Sequence, residues 1–353
     1  MDTNYKHKWM QLPRSVVFGH GIIDDLAKVC IELKLDGTAV IVSGKNTREL
    51  FGSKAKSVLE DSSYDVHTAA VENTSDEQIK KVENFCREVK TNFILGIGGG
   101  KSIDVAKVVS KTLSIPFISV PTAASHDGIV SSIASVSRNG QMVSVEAKSP
   151  LAVVADTEVI AGAPHRLLAS GCADIISNYT AVRDWELAHR LCGEAFSEYA
   201  STLSSMTAQI IMNSSDSIKP GLEESAWMVI KALVSSGVAM SIAGSSRPAS
   251  GSEHKFAHAL SRIASNSGLH GEQCGLGTIM MMYLHGGDWQ SIKDALSKIG
   301  APTTASELGI REEHIIQALL YAHNIRPERY TILSRGLNEK AAVNLAEATG
   351  VIG

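Results

Sequence analysis

The 353-residue sequence predicts an α/β fold that gives way to an all-α one. Three observations carry the prediction. Short apolar runs alternate with helical stretches over roughly the first 160 residues. One of those runs opens into a dense glycine turn, "FILGIGGGKSIDVAK". Beyond about Pro164 the apolar spacing becomes helical, with little strand-like alternation.

In chain order, "TAVIVSG" (38–44), "FILGIG" (93–98), "PFISVP" (116–121) and "LAVVAD" (151–156) read as buried strands. Their near-continuous Val, Ile and Leu content is what a parallel sheet covered on both faces requires. Between them, "SDEQIKKVENFCREV" reads as a helix capped by Ser75 or Asp76. Strand and helix in alternation predict a doubly wound parallel sheet. "HRLLASGCADIISNYTAVRDWELAHRL", "SAWMVIKALVSSGVAMSIAG" and "EEHIIQALLYAHN" read as helices. "IMNSSDSIKPGLEE" and "AGSSRPASGS", rich in Ser, Pro and Gly, read as loops. The break near "AGAPHR" places a domain boundary, giving 1–162 and 163–353.

Composition narrows the function classes. Lys plus Arg number 33 against 37 Asp plus Glu, a net charge of −4, with no basic run of the kind nucleic acid selects. No apolar run reaches the roughly 18 residues of a membrane helix. "MDTNYKHKWMQLPRS" lacks a signal-peptide core, and the five cysteines are scattered and odd in number. The expectation is a soluble, cytoplasmic chain without membrane insertion, nucleic acid or disulfides.

The glycine turn then decides between phosphate ligands. A triphosphate loop needs a glycine five positions before its Gly-Lys pair, but that position is Leu95. A GxGxxG fingerprint starting at Gly96 fails too, because Lys101 takes the place of its third glycine. What remains is strand, glycine turn and helix, in which Gly98, Gly99 and Gly100 admit a pyrophosphate to the backbone. The helix that begins near Ser102 adds its positive end, and Val105, Val108, Val109 and Leu113 form its packing stripe. A dinucleotide is the expected ligand. After strand two, Ser43-Gly44-Lys45-Asn46 carries no carboxylate to repel a 2′-phosphate, so NADPH fits as well as NADH.

Donor residues gather later. "GSEHKFAHAL" sets His254 and His258 on one helix face, yet Lys255 stands where a zinc protease has glutamate. "GLHGEQCG" offers His270 and Cys274, and "SGCADIISN" offers Asp174 in an apolar helix. Zinc accepts all these donors, so spacing alone leaves the set open among Asp174, His254, His258, His270 and Cys274. The stretch "VPTAASHDGIVSSIAS" follows a strand, where an open sheet places its ligand crevice, and supplies Thr122, Ser125, Asp127 and Ser131.

Together "GIGGGKSIDVAK", "SVPTAASHDGIVSSIAS", "GCADIISNYTAVRDWELA", "GSEHKFAHAL", "HGEQCGLGT" and "RPERYTIL" resemble the sn-glycerol-1-phosphate dehydrogenases. That group sits in the superfamily of glycerol dehydrogenases, iron-type alcohol dehydrogenases and 3-dehydroquinate synthases. The resemblance implies a Rossmann-like N-terminal NAD(P)-binding domain and a helical metal- and substrate-binding domain, with the active site in the cleft between them. It implies one zinc ion on Asp174, His254 and His270, with Cys274 no ligand. By the same match, substrate contacts fall on Asp127, Asp174 and His258. NAD(P)H falls on Gly98, Gly99, Gly100, Lys101, Ser102, Thr122, Ala123, Ala124, Ser125 and Ser131. The activity implied is zinc-dependent reduction of dihydroxyacetone phosphate to sn-glycerol 1-phosphate for archaeal-type lipids, in a homo-oligomer. Asp174, His254, His270 and His258 would form the catalytic set, with His258 able to pass a proton because an unperturbed imidazole titrates near neutrality. A glycerol dehydrogenase and a dehydroquinate synthase-like lyase are the alternatives; Asp174 speaks against the lyase, whose ligand is glutamate. For the substrate phosphate the candidates are Arg247, Lys255 and His126.

Overall fold

The computed structural model describes residues 10–138, 141–264 and 267–353. Residues 1–9, read above for the lack of a signal core, lie outside the described residues. The strands are β1 (Ser15–Gly19), β2 (Thr38–Ser43), β3 (Asp65–Ala70), β4 (Phe93–Gly98), β5 (Phe117–Pro121), β6 (Ile133–Arg138), β7 (Gln141–Glu146) and β8 (Ala152–Asp156). Six of them form one parallel sheet in the order β1-β8-β5-β4-β2-β3, and β6 and β7 pair as an antiparallel hairpin.

Alternate strand residues feed two separate cores, as the period of two demands. Ala39, Ile41, Leu95 and Ile97 face one way and meet Leu26, Cys30, Ala55 and Leu59. Val40, Val42 and Ile94 face the other way and meet Ile79, Val82, Val105 and Val109. The second core runs on without a break into the helical half, through Cys172, Ile175, Leu276 and Met280. The sheet is therefore doubly covered.

The four buried strands fall where the apolar runs place them. The helix Asp76–Glu88 starts at Ser75, whose side chain accepts from the Gln78 amide. The edge strands β1 and β3 escaped the sequence reading for a physical reason. Edge positions are half-covered, and "DVHTAA" carries polar residues that an apolar-run criterion rejects. The stretch read as one loop after β5 holds a turn at Asp127–Ile129 and then β6, whose Ala134 and Val136 are buried in alternation with serines. A third correction concerns 211–224, read as a loop: the helix Glu198–Asn213 runs into it before the chain turns.

The last strand ends at Asp156, and helices follow: His165–Cys192, Glu198–Asn213, Glu223–Ala243, Ser252–Ile263, His270–Leu284, Trp289–Ile299, Glu312–Tyr321 and Glu339–Ala348. The expectation that no segment has the length and hydropathy of a membrane helix does not hold. Glu223–Ala243, a 21-residue helix that contains an 18-residue window of mean hydropathy 1.6, is long and apolar enough. It nonetheless buries Ala226, Val229, Ile230 and Leu233 in the protein core, which accounts for the hydropathy without a lipid phase.

Candidate active site

Close backbone packing sets the geometry. The helix His165–Cys192 crosses both the β5 loop and the helix His270–Leu284 at glycine contacts. A Cβ on Gly171 would lie 2.0 Å from the Ala124 carbonyl oxygen, and one on Gly271 would lie 1.9 Å from that of Ser170. Only glycine permits these crossings. They bring Asp174, on the first of the two helices, up to His270, which opens the second.

His270 is aimed by its own helix start. Glu272 accepts from the Leu269 amide at 2.7 Å and is gripped by Arg166 at 2.6 and 2.8 Å. Gln273 ties the same turn to Ser261 and Ser267. These bonds explain what the "HGEQ" piece does: three of its residues hold the fourth. The start of Ser252–Ile263 is fixed in turn by buried Asp184, which accepts from the Ser252 amide at 2.6 Å and from the Ile332 amide at 2.6 Å.

Asp174 Oδ1 lies 3.8 Å from His254 Nε2 and 3.9 Å from His270 Nε2. Cys274 Sγ is 3.6 Å from His270 Nε2, and donor atoms of Asp174, His254, His270 and Cys274 all lie within 4.8 Å of one another. Asp174 Oδ2 accepts from the Asp127 amide at 2.9 Å, whereas Oδ1 is buried with no hydrogen-bond partner. A buried carboxylate oxygen without a partner is costly unless a cation meets it. Burial pushes Asp174 and Asp127 each up to about 7. Burial drives His254 and His258 well below the usual imidazole value. Carboxylates that resist ionisation beside neutral imidazoles leave the cluster short of positive charge. A divalent cation fits this donor set, which therefore forms a candidate metal site. Burial, then the neighbouring carboxylates, push the Cys274 thiol well above its ordinary value.

Two supporting groups were not found from sequence. Glu253 meets His254 Nδ1 at 2.9 Å and accepts from Thr180 Oγ1 at 2.9 Å, leaving Nε2 turned toward Asp174. Such a carboxylate–imidazole pair fixes the tautomer of a ligand histidine. Asn178 donates to Ser236 at 3.1 Å, and Ser236 donates to Asp127 Oδ2 at 3.2 Å. Glu253 adjoins His254 in sequence, a signal open to a reader looking for carboxylate–histidine pairs; the Asn178–Ser236–Asp127 chain spans 109 residues and has no local signal.

The pocket beside the cluster, about 80 Å³, is lined from the sheet half by Asp104, Asp127 and Ser131, and from the helical half by His254, His258 and His270. The rings of His258 and His270 are 5.7 Å apart. His258 does not keep the near-neutral titration assumed from sequence: burial, foremost, keeps it neutral.

The glycine turn opens elsewhere, on a groove of about 750 Å³ lined by Gly99, Thr122, Ala123, Asn46 and Thr47. The helix begins at Gly100, not Ser102, with Gly99 as its cap. A Cβ on Gly99 would meet nothing within 4 Å, so its face is open toward the groove. Lys101 is exposed at the helix start. Gly98, Ser102 and Ala124 are buried behind the turn, and Ser102 Oγ accepts from the Gly44 amide at 3.1 Å. Ser125 is half-buried, and its carbonyl accepts from Ser170. Ser131 stands apart from the glycine groove, in the histidine pocket. The predicted cofactor set is thus divided between the groove and the histidine pocket, not gathered in one cavity.

Of the phosphate candidates, Arg247 is paired with Glu194 and donates to the Tyr330 carbonyl at 2.9 Å. Lys255 donates to the Arg329 carbonyl at 2.9 Å. His126 accepts from the Gly128 amide at 2.8 Å and is lowered to about 3 by burial, so it carries no charge at neutral pH. Arg247 and Lys255 do not line the histidine pocket, and His126, which does, is uncharged.

Comparison with known proteins agrees with this architecture. Residues 17–164 match the iron-containing alcohol dehydrogenase family. The glycerol-1-phosphate dehydrogenase (NAD(P)+) of Methanosarcina mazei is 59% identical over 345 residues, covering 98% of this chain and 97% of that one. The enzyme of the same name from Methanothermobacter thermautotrophicus is 56% identical over 345 residues, covering 97% and 99%. Among solved structures, a probable glycerol dehydrogenase from Sinorhizobium meliloti superimposes with a TM-score of 0.81 at 21% identity, covering 98% of this chain and 100% of that one. At that identity the likeness speaks for the fold. With full-length relatives near three-fifths identity and the cluster in place, the chain belongs to the glycerol-1-phosphate dehydrogenase family.

Proposed function

We propose that this protein reduces dihydroxyacetone phosphate to sn-glycerol 1-phosphate with NAD(P)H, reversibly, supplying the glycerophosphate backbone of archaeal-type lipids. The observation that carries the reading is the unpartnered, buried Asp174 Oδ1 facing His254 and His270. Asp174, His254 and His270 would hold zinc, which as a Lewis acid polarises the substrate carbonyl when bound. Residues 98–102 and 122–125, with Ser131 toward the histidines, would hold NAD(P)H, which when bound would supply the hydride. In this assignment residues 1–162 carry the cofactor and 163–353 carry the metal and most substrate contacts.

The side chains divide the remaining work. Glu253 keeps the His254 Nδ1 proton on its own carboxylate side, so that Nε2 presents a lone pair. Asp127, braced by Ser236, orients a substrate hydroxyl from the opposite wall. His258 is held neutral, so it acts as a hydrogen-bond partner to the substrate and relays a proton without storing one.

The test is NADH and NADPH consumption with dihydroxyacetone phosphate and with dihydroxyacetone, before and after chelation. Metal-dependent turnover favouring the phosphate ester is expected. Equal use of both ketones points to a glycerol dehydrogenase, and full activity after metal stripping overturns the reading.

A further inference from the structure

We propose that Arg326 forms the anion subsite of the histidine pocket and holds the phosphate of the substrate; the inference rests on the functional reading above. Among the residues lining that pocket it is the only arginine or lysine, standing with His254, His258 and His270 on one side and Ser246 and Ser250 on another. Beside burial, its charge opposes protonation of both His254 and His258. Among the described residues its guanidinium makes no ion pair. Burial holds its guanidinium below the ordinary arginine value, and the charge of Glu328, which makes no ion pair with it, offsets part of that.

The contrast with the neighbouring cations is informative. Lys255 is spent on the Arg329 carbonyl and Arg247 on Glu194 and the Tyr330 carbonyl. Arg329 donates to the Ser250 carbonyl at 2.7 Å and to Ser246 Oγ at 2.8 Å. Three cations thus bolt the segment 326–330 to the pocket wall. The fourth, Arg326, is carried by that segment with its own donors unused. Its backbone is at φ 45, a left-handed conformation that an arginine adopts at a cost and that a clamped segment can enforce. Five N–H donors in a planar fork, half-buried and unpaired, match a phosphate or phosphate ester. A cofactor 2′-phosphate is the other possible anion, but the end of β2 that would meet it opens on the glycine groove through Asn46 and Thr47.

The test compares kcat/KM for dihydroxyacetone phosphate and for dihydroxyacetone in the wild type, Arg326→Leu and Arg326→Lys, with metal content and inhibition by inorganic phosphate measured alongside. Loss of charge-assisted hydrogen bonds of this kind corresponds to a fall of about 10²-fold. The expected result is that fall for the phosphate ester in Arg326→Leu, dihydroxyacetone turnover and metal content kept, phosphate inhibition lost, partial recovery in Arg326→Lys, and an unaltered NADH to NADPH ratio. A wild type that prefers the phosphate ester, with an Arg326→Leu variant that keeps the preference, sinks the subsite alone. Equal losses on both ketones also overturn it, because the arginine would then be acting on the fold or the metal. A changed NADPH preference reassigns it to the cofactor. A wild type indifferent to the phosphate sinks the functional reading, and the subsite with it.

Discussion

The groove at the glycine turn and the pocket at the histidines are built from opposite materials. The groove is shaped by what its residues lack: Gly99 has no side chain, and Thr122 and Ala123 are small. In the proposed assignment, binding there would fall to backbone amides and the start of a helix. The pocket is shaped by what its residues carry, with carboxylates, imidazoles and one unpaired guanidinium crowded into about 80 Å³. The difference teaches how each half tolerates change. Function in the groove is sensitive to added bulk, whereas function in the pocket is sensitive to lost chemistry.

The sharpest way to break this division is His270→Ala. Loss of a metal ligand should lower turnover by at least about 10³-fold and abolish zinc binding, with NADH affinity unchanged. Zinc content by elemental analysis and NADH fluorescence titration check the two halves separately; weakened NADH binding would mean that the regions are not independent. Asp127→Asn comes next. It keeps the Ser236 contact but removes the charge, and about 10²-fold should be lost in kcat/KM for the ketone while NADH still binds. If cofactor affinity collapses instead, the Asp127 turn belongs to the groove.

A gentler probe uses pH. Asp174 keeps its proton up to about 7, so below that value cation uptake must expel it. Raising the pH therefore strengthens zinc binding by about tenfold per unit up to about 7, after which the rise flattens. Zinc titrations of the stripped protein at several pH values, repeated with Asp174→Asn, should show the slope and its disappearance. The smallest effect is reserved for the groove. Gly99→Ala adds a methyl where the protein offers open space, so melting temperature should hold while NADH affinity falls about tenfold through contact with the pyrophosphate. A melting temperature that drops would show the turn to be closed after all.

What could be read from sequence differs between the regions for the same reason. The doubly wound sheet was legible because β2, β4, β5 and β8 are buried on both faces and so cannot avoid continuous apolar runs. β1 and β3 were not, since an edge strand faces solvent on part of its surface. Asp174, His254, His258, His270 and Asp127 stood out as chemistry-bearing residues in apolar or ligand-crevice surroundings, and the resemblance to a family sorted them. Arg326 was given no role, although it opens the "RPERYTIL" piece that helped to carry the resemblance. Nothing in "IRPER" separates it from Arg329, three residues away.

The sequence by itself determined the strand–helix grammar, the glycine turn and the inventory of donors, because periodicity and local sterics act over a few residues. Only the tertiary structure decided which charged groups are already partnered. That question is settled by contacts between segments far apart in the chain: Glu194 takes Arg247, the Arg329 carbonyl takes Lys255, and Arg326 and one oxygen of Asp174 are left over. Availability of a side chain is a property of its neighbours, and neighbours are chosen by folding.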